Sequence, residues 1–305
     1  MKIIFFGTPD YVLPILTTLH KKFVTSPGTS PIVAVVTQSP KPVGRMQIKT
    51  YSPVDKWAHQ HNIDTRYDFN SDLPDADFGV VASYKGLLPE KVINRFPHGI
   101  LVVHPSLLPS FRWGSPVPAA IVTNTNPTGV TIMKMDEKFD HGPIVSASKE
   151  EINDSDTSET LRNRLFEKSA AILAELMDPY LKGKIKPKEQ HHVLATFASE
   201  IKKDDAFIKP EYLRAAIEGE SLNKKWEISF IKDYSQDVTP ENIERFIRAM
   251  QPWPQAWTLF NGKRLKLLKA HVENGKLVLD EVQMEGKNPV TGKQFLEAHG
   301  KVWSF

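Results

Sequence analysis

Short, nearly continuous apolar runs punctuate the first third of the chain: Lys2 to Phe6, Ile32 to Val36, Phe78 to Ala82 and Ile100 to Val103. Each is bounded by turn residues, and none alternates apolar with polar, so each reads as a strand buried on both faces. Helical spacing fills the gaps. Gly7-Thr8-Pro9 ends the first run, and Asp10 is placed to cap a helix carrying Val12, Ile15, Leu16 and Leu19. Val54 to His61 and Pro89 to Phe96 suit further helices. Strands alternating with helices predict an α/β fold around a mostly parallel, covered sheet of Rossmann-like type. No G-x-G-x-x-G follows the first strand, which argues against dinucleotide binding.

His104 closes the Ile100–Val103 run, where the strand emerges from the sheet. Open α/β sheets place their ligand sites at such ends. A histidine can move a proton near neutral pH, and a carboxylate can orient its ring and stabilise the imidazolium. The candidate carboxylate is Asp140, in the run Asp136, Phe139, Asp140, His141, Gly142 that follows a second apolar stretch, Thr128 to Met133. The plainer reading of each residue is a hydrogen-bonded structural histidine and a turn aspartate before glycine. Their pairing is an expectation about the fold.

Length and composition narrow the class. The 305 residues leave room for two domains. There are no cysteines, which excludes disulfides, thiolate metal sites and a cysteine nucleophile. The start, MKIIFFGTPDYVLPIL, is a poor signal peptide, and no apolar run is long enough for a membrane span. A cytoplasmic protein is expected. Net charge is +3, and residues 251–305 carry it with 8 Lys+Arg against 5 Asp+Glu, which suits a polyanionic partner or a solubilising surface.

Thr37 to Val54, with Lys41, Pro42, Gly44, Arg45 and Lys49, reads as a long mobile loop. Asp156-Thr157-Ser158-Glu159 caps a long helix with Leu161, Leu165, Ile172 and Leu176 inward. Residues 179–210 show no clear periodicity and read as a linker; the adjacent His191-His192 do not converge as metal ligands, and no metal is expected. Beyond it, Thr239-Pro240-Glu241 starts a helix whose apolar face is Ile243, Phe246, Ile247 and Met250. Short strands follow at 257–260, 265–270 and 277–282, with hairpin turns at Asn261-Gly262 and Asn274-Gly275 and a last hairpin near Gly292.

The string HPSLLP, followed by TGVTIMKMDEKFDHG, resembles the formyltransferase family that takes its one-carbon unit from 10-formyltetrahydrofolate. GTPD at the start, the PKPVGR loop and QPWP, similar to an N-P-W-P turn, resemble the branch acting on initiator methionyl-tRNA rather than the sugar or purine branches. The resemblance covers nearly the whole chain. It implies a catalytic domain over 1–178, a linker over 179–210 and an OB-like, tRNA-binding β-barrel over 211–305. It makes His104 and Asp140 catalytic, lets Ser106, Leu107, Leu108 and Pro109 line the folate site by backbone contacts, and sends Lys41, Arg45 and Lys49 to the tRNA acceptor end, with Arg45 foremost. A monomer is expected. One family residue is missing: an asparagine two positions before the histidine, whose place Val102 takes. Trp113 after Arg112 and the order Lys85-Gly86 are smaller departures. With Val102 in that place three readings stay open: slow formyl transfer, folate or tRNA binding without turnover, and formyltetrahydrofolate hydrolysis.

Overall fold

A computed structural model describes residues 1–24, 29–43, 46–70 and 72–299. The chain divides into two compact units. One holds Met1–Arg112, Gly129–Glu150 and Arg162–Ala195; the other holds Trp113–Thr128, Glu151–Leu161 and the chain from Thr196 onward.

The first unit begins with β1 (Ile3–Gly7), α1 (Leu13–Lys22) and β2 (Ile32–Val36). Then come a ribbon of β3 (Lys41–Val43) and β4 (Ile48–Thr50), α2 (Pro53–Gln60), β5 (Asp64–Arg66) and β6 (Phe78–Ala82). After α3 (Glu90–Ile93) and β7 (Ile100–His104), the chain passes through α4 (Pro116–Val122) of the second unit. It returns as β8 (Thr128–Lys134) and β9 (Ile144–Glu150), and α5 (Ser158–Leu181) follows. Seven strands form one sheet in the order β5-β2-β1-β6-β7-β8-β9. Pairings from β5 through β7 are parallel, and β8 runs antiparallel to β7. Every residue of β1, β6 and β7 is buried, as continuous apolar runs require. The strand order reverses between β1 and β6, which makes the carboxyl ends of β1, β6 and β7 the expected ligand face.

Local departures from the sequence reading have local causes. Asp10 does not cap α1: it opens a 3-10 turn, Asp10–Val12, and accepts the adjacent Tyr11 N–H. The stretch expected as a mobile loop contains the β3–β4 ribbon, paired from Lys41↔Thr50 to Val43↔Ile48. The helix expected over 89–96 is the single turn of α3. In α5 the buried position next to Ile172 belongs to Leu173, while Leu161, Leu165 and Leu176 are buried as expected. Thr157 and Thr160 cap that helix reciprocally, each hydroxyl accepting the other's backbone N–H.

The second unit adds α6 (Pro210–Glu218), a ribbon of β10 (Leu222–Glu227) and β11 (Ser235–Val238), and α7 (Pro240–Ala249). A four-stranded antiparallel meander follows, β12 (Ala256–Phe260), β13 (Lys263–Glu273), β14 (Lys276–Met284) and β15 (Val290–Thr291), then α8 (Gly292–His299). Thr239 caps α7 by accepting the Asn242 N–H, Pro240 takes the first helical position, and Ile243, Phe246, Ile247 and Met250 are all buried. Asn261-Gly262 and Asn274-Gly275 turn with positive φ at both residues, as two-residue hairpins demand. The last hairpin, expected near Gly292, is the β14–β15 pair, Glu281↔Thr291 and Val282↔Val290. Gly292 itself is the first residue of α8, where a Cβ would lie 1.8 Å from the Leu279 carbonyl oxygen. No helix among the described residues is long and apolar enough to cross a membrane.

Candidate active site

The last residue of β7 is His104, 5% exposed. Its Nε2 lies 3.0 Å from the Phe111 carbonyl oxygen. A carbonyl only accepts, so Nε2 carries the proton. Nδ1 faces Asp140 Oδ1 at 3.5 Å, with both side chains largely buried. Residues 104 and 140 are therefore brought together. The proton that this ring can gain or release belongs on Nδ1, beside the carboxylate.

Asp140 sits in the turn between β8 and β9, at φ +50°, a left-handed conformation that aspartate tolerates better than most residues. The turn closes tightly: Lys134 donates its N–H to the Pro143 carbonyl at 2.9 Å. Gly142 has no room for a side chain, since a Cβ would stand 1.9 Å from the Lys134 carbonyl oxygen. That is the physical reason for glycine two residues after the aspartate.

A polar network lies behind this turn. Gln190, 5% exposed, donates from Nε2 to the Asp140 carbonyl at 3.0 Å and to the Gly142 carbonyl at 2.7 Å. Its Oε1 accepts from Arg112 Nη2 at 2.7 Å and Nε at 3.2 Å. Arg112 is also 5% exposed; burial pulls its guanidinium pKa down, while Asp140 and Asp136 favour its charge. Arg112 Nη2 further donates to His192 Nδ1 at 2.8 Å, and that ring stacks on His141 with centroids 4.0 Å apart. His141 pairs with Asp136 at 2.6 Å. Burial, then His141 and Arg112, lower the His192 pKa. Sequence reasoning missed Gln190, which it assigned to a linker.

The turn after His104 is braced internally. Thr131 on β8 donates its hydroxyl to the Ser106 carbonyl at 2.7 Å and accepts the Leu108 N–H at 3.1 Å. Ser106 Oγ donates to the Ser110 carbonyl, whose own N–H goes to the Leu107 carbonyl. Three backbone groups expected to meet folate, the Ser106 and Leu107 carbonyls and the Leu108 N–H, thus already have partners within the fold; Pro109 has no N–H to offer. Val102, 7% exposed, pairs with Val81 on β6 and Met133 on β8 and belongs to an apolar cluster with Phe6, Leu88 and Leu108.

Of the basic residues, Lys41 and Lys49 are exposed on the β3–β4 ribbon, with Lys49 Nζ 5.8 Å from the Tyr51 ring centroid. Arg45 lies outside the described residues. Lys85 is exposed, and Trp113 packs on Phe197 with centroids 4.5 Å apart. No group of three or more His, Asp or Glu among the described residues is placed to hold a metal ion.

A family model described as formyl transferase matches residues 1–177, and a formyl transferase C-terminal domain model matches 233–277. The chain belongs to the formyl transferase family. Its relatives include a methionyl-tRNA formyltransferase of Halalkalibacterium halodurans, 32% identical over 98% of this chain and 95% of the relative. Another, from Bacillus pumilus, is 34% identical over 95% and 86% of the two chains. Two solved structures share the fold. An N-formyltransferase from Helicobacter canadensis in complex with folinic acid and dTDP-3-aminofucose matches with a TM-score of 0.65 at 15% identity, over 95% of this chain and 98% of that one. A methionyl-tRNA formyltransferase from Clostridium thermocellum matches with a TM-score of 0.55 at 16% identity, over 93% and 98%.

Proposed function

We propose that this chain transfers the formyl group of 10-formyltetrahydrofolate to the α-amine of initiator methionyl-tRNA in the cytoplasm, as a monomer. The observation that carries the reading is the buried His104–Asp140 pair at the carboxyl end of β7, in a chain aligned almost end to end with methionyl-tRNA formyltransferases. The amine attacks the formyl carbon and makes a tetrahedral oxyanion; the carbon–N10 bond then breaks, the amine nitrogen loses a proton and N10 gains one. His104 is suited to carry that proton on Nδ1, because Nε2–H is committed to the Phe111 carbonyl. Asp140 orients the ring and stabilises its charged form.

The folate would lie along Ser106 to Pro109. With most of their backbone groups held inside the fold and Leu108 buried in the apolar cluster, the contacts left to them are chiefly those of the part-exposed Leu107 and Pro109 side chains. Lys41, Arg45 and Lys49 would meet the acceptor end of the tRNA, and residues 211–305 its body, with 1–178 catalytic and 179–210 connecting. A second reading rests on Val102: an apolar side chain replaces the family's amide donor, which favours a folate- or tRNA-binding relative with little turnover. Formyltetrahydrofolate hydrolysis has no such support: with water as the acceptor, the basic ribbon and the second unit would have no part in the reaction.

Purified protein with formyltetrahydrofolate and charged initiator tRNA decides between these, with formyl-methionine measured directly. Transfer that falls at least a hundredfold in Asp140→Asn, with folate binding retained, is the expected result. The absence of any formyl-methionine from the unmodified protein would reject the transferase reading.

A further inference from the structure

Gln190 is a buried amide that uses both of its chemical faces. Its two N–H bonds go to the carbonyls of Asp140 and Gly142, which flank the left-handed turn presenting the catalytic carboxylate. Its oxygen takes a forked pair of bonds from Arg112. Arg112 follows Phe111, and the Phe111 carbonyl holds His104 Nε2. One side chain thus ties the turn bearing Asp140 to the segment that fixes the far side of the His104 ring.

We propose that Gln190 is a positioning residue for formyl transfer, setting the approach of Asp140 to His104 Nδ1 through this double tether. The proposal rests on the reading of His104 and Asp140 as the catalytic pair. The chemistry explains why an amide is needed. Only a neutral side chain with donor and acceptor on one planar group can serve two carbonyls and a guanidinium together. Glutamate would keep the Arg112 bonds but, ionised, would repel both carbonyl oxygens. It would also pair with the Arg112 charge, which Asp136 and Asp140 now share. Methionine would fill the space and make none of these bonds. The carboxylate would then be free to drift, and misplacement of about 1 Å can cost on the order of a hundredfold in rate.

The test is a double-mutant cycle on the full-length protein, with Gln190→Met and Asp140→Asn made singly and together. kcat and KM are measured for formyltetrahydrofolate and for charged initiator tRNA. Gln190→Met is expected to lower kcat on the order of tenfold to a hundredfold, with both KM values within about twofold of wild type. In the Asp140→Asn background the same substitution should cost less than about twofold, because no carboxylate remains to be positioned. Equal losses in both backgrounds, or no loss in either, would overturn the proposal while leaving the catalytic pair standing. A wild-type kcat for Asp140→Asn alone would instead remove the underlying reading, and this proposal with it. If Gln190→Met does not fold, Gln190→Glu enters the same cycle with the same expected sign of coupling, since it keeps the Arg112 tether and replaces both carbonyl bonds by repulsion.

Discussion

Restoring the family amide with Val102→Asn should raise turnover and lower stability. Val102 and His104 are two residues apart on β7, so their side chains leave the same face of the sheet. A donor at 102 would leave the same face as His104, the proposed catalytic residue, and one oxyanion donor is worth about 10²–10³ in kcat, or about 2.7–4 kcal/mol of transition-state stabilisation. The opposing cost comes from the surroundings. Val102 is nearly buried, between Val81 and Met133 in an apolar cluster. Losing its burial costs about 1.5–3 kcal/mol, and an amide left partly without partners adds about 1–3 kcal/mol. Rate and stability should therefore move by comparable amounts in opposite senses, and two assays separate them. Formyl-methionine formation at saturating substrates reads the gain. Thermal melts read the loss, which should shrink when formyltetrahydrofolate is bound and gives the amide an acceptor. An unchanged kcat with folate still bound would refute the argument. The pocket would then differ from its relatives in more than one side chain, with Trp113 and Lys85 the first places to look.

Gly142→Ala should force the Asp136–Gly142 turn apart, because its Cβ would meet the Lys134 carbonyl at 1.9 Å; a loss of kcat exceeding tenfold is expected in the transfer assay. Arg45→Ala should weaken tRNA binding and reduce its salt slope by about one phosphate contact, while folate affinity measured by titration stays constant. Acid should destabilise the first unit through His20, whose pKa is lowered by burial, then by His61 and Lys21. The unfolded chain takes up that proton near pH 6.5 and the folded chain at lower pH, so this contribution is complete above about pH 6.5 and declines as pH falls toward the folded value. Urea melts at pH 7.5 and 5.5 should show a smaller acid loss for His20→Gln, which keeps a partner for Ser30, than for wild type.

Where backbone and burial agree locally, the fold was legible. The runs at β1, β2, β6 and β7 are apolar throughout because both faces are covered, and α7 announces itself with a cap, a first-position proline and one apolar face. The ribbon of β10 and β11 escaped notice because Leu222–Glu227 is mostly exposed and polar, with Trp226 its one buried side chain. Proline and glycine misled once, disguising β3–β4 as a plain loop. The hairpin expected near Gly292 is β14–β15, and Gly292 just past it is small because the Leu279 carbonyl passes against it. α4 is a seven-residue helix with almost every residue buried, and no apolar stripe marks it.

The site divides along the same line. His104 and Asp140 stand in strings that carry their own resemblance, and the structure sets them 3.5 Å apart. Gln190 has no such string. Its partners are 78, 50 and 48 residues away, at Arg112, Asp140 and Gly142, and its neighbours in sequence form no periodic pattern. A buried amide is specified by the long-range groups it satisfies, and these become visible only when the chain is folded. The unpredicted part of the site is thus the part that depends on tertiary structure: the strand end and the turn supply His104 and Asp140, and a side chain from an apparently featureless connector ties the turn to the segment beside the ring.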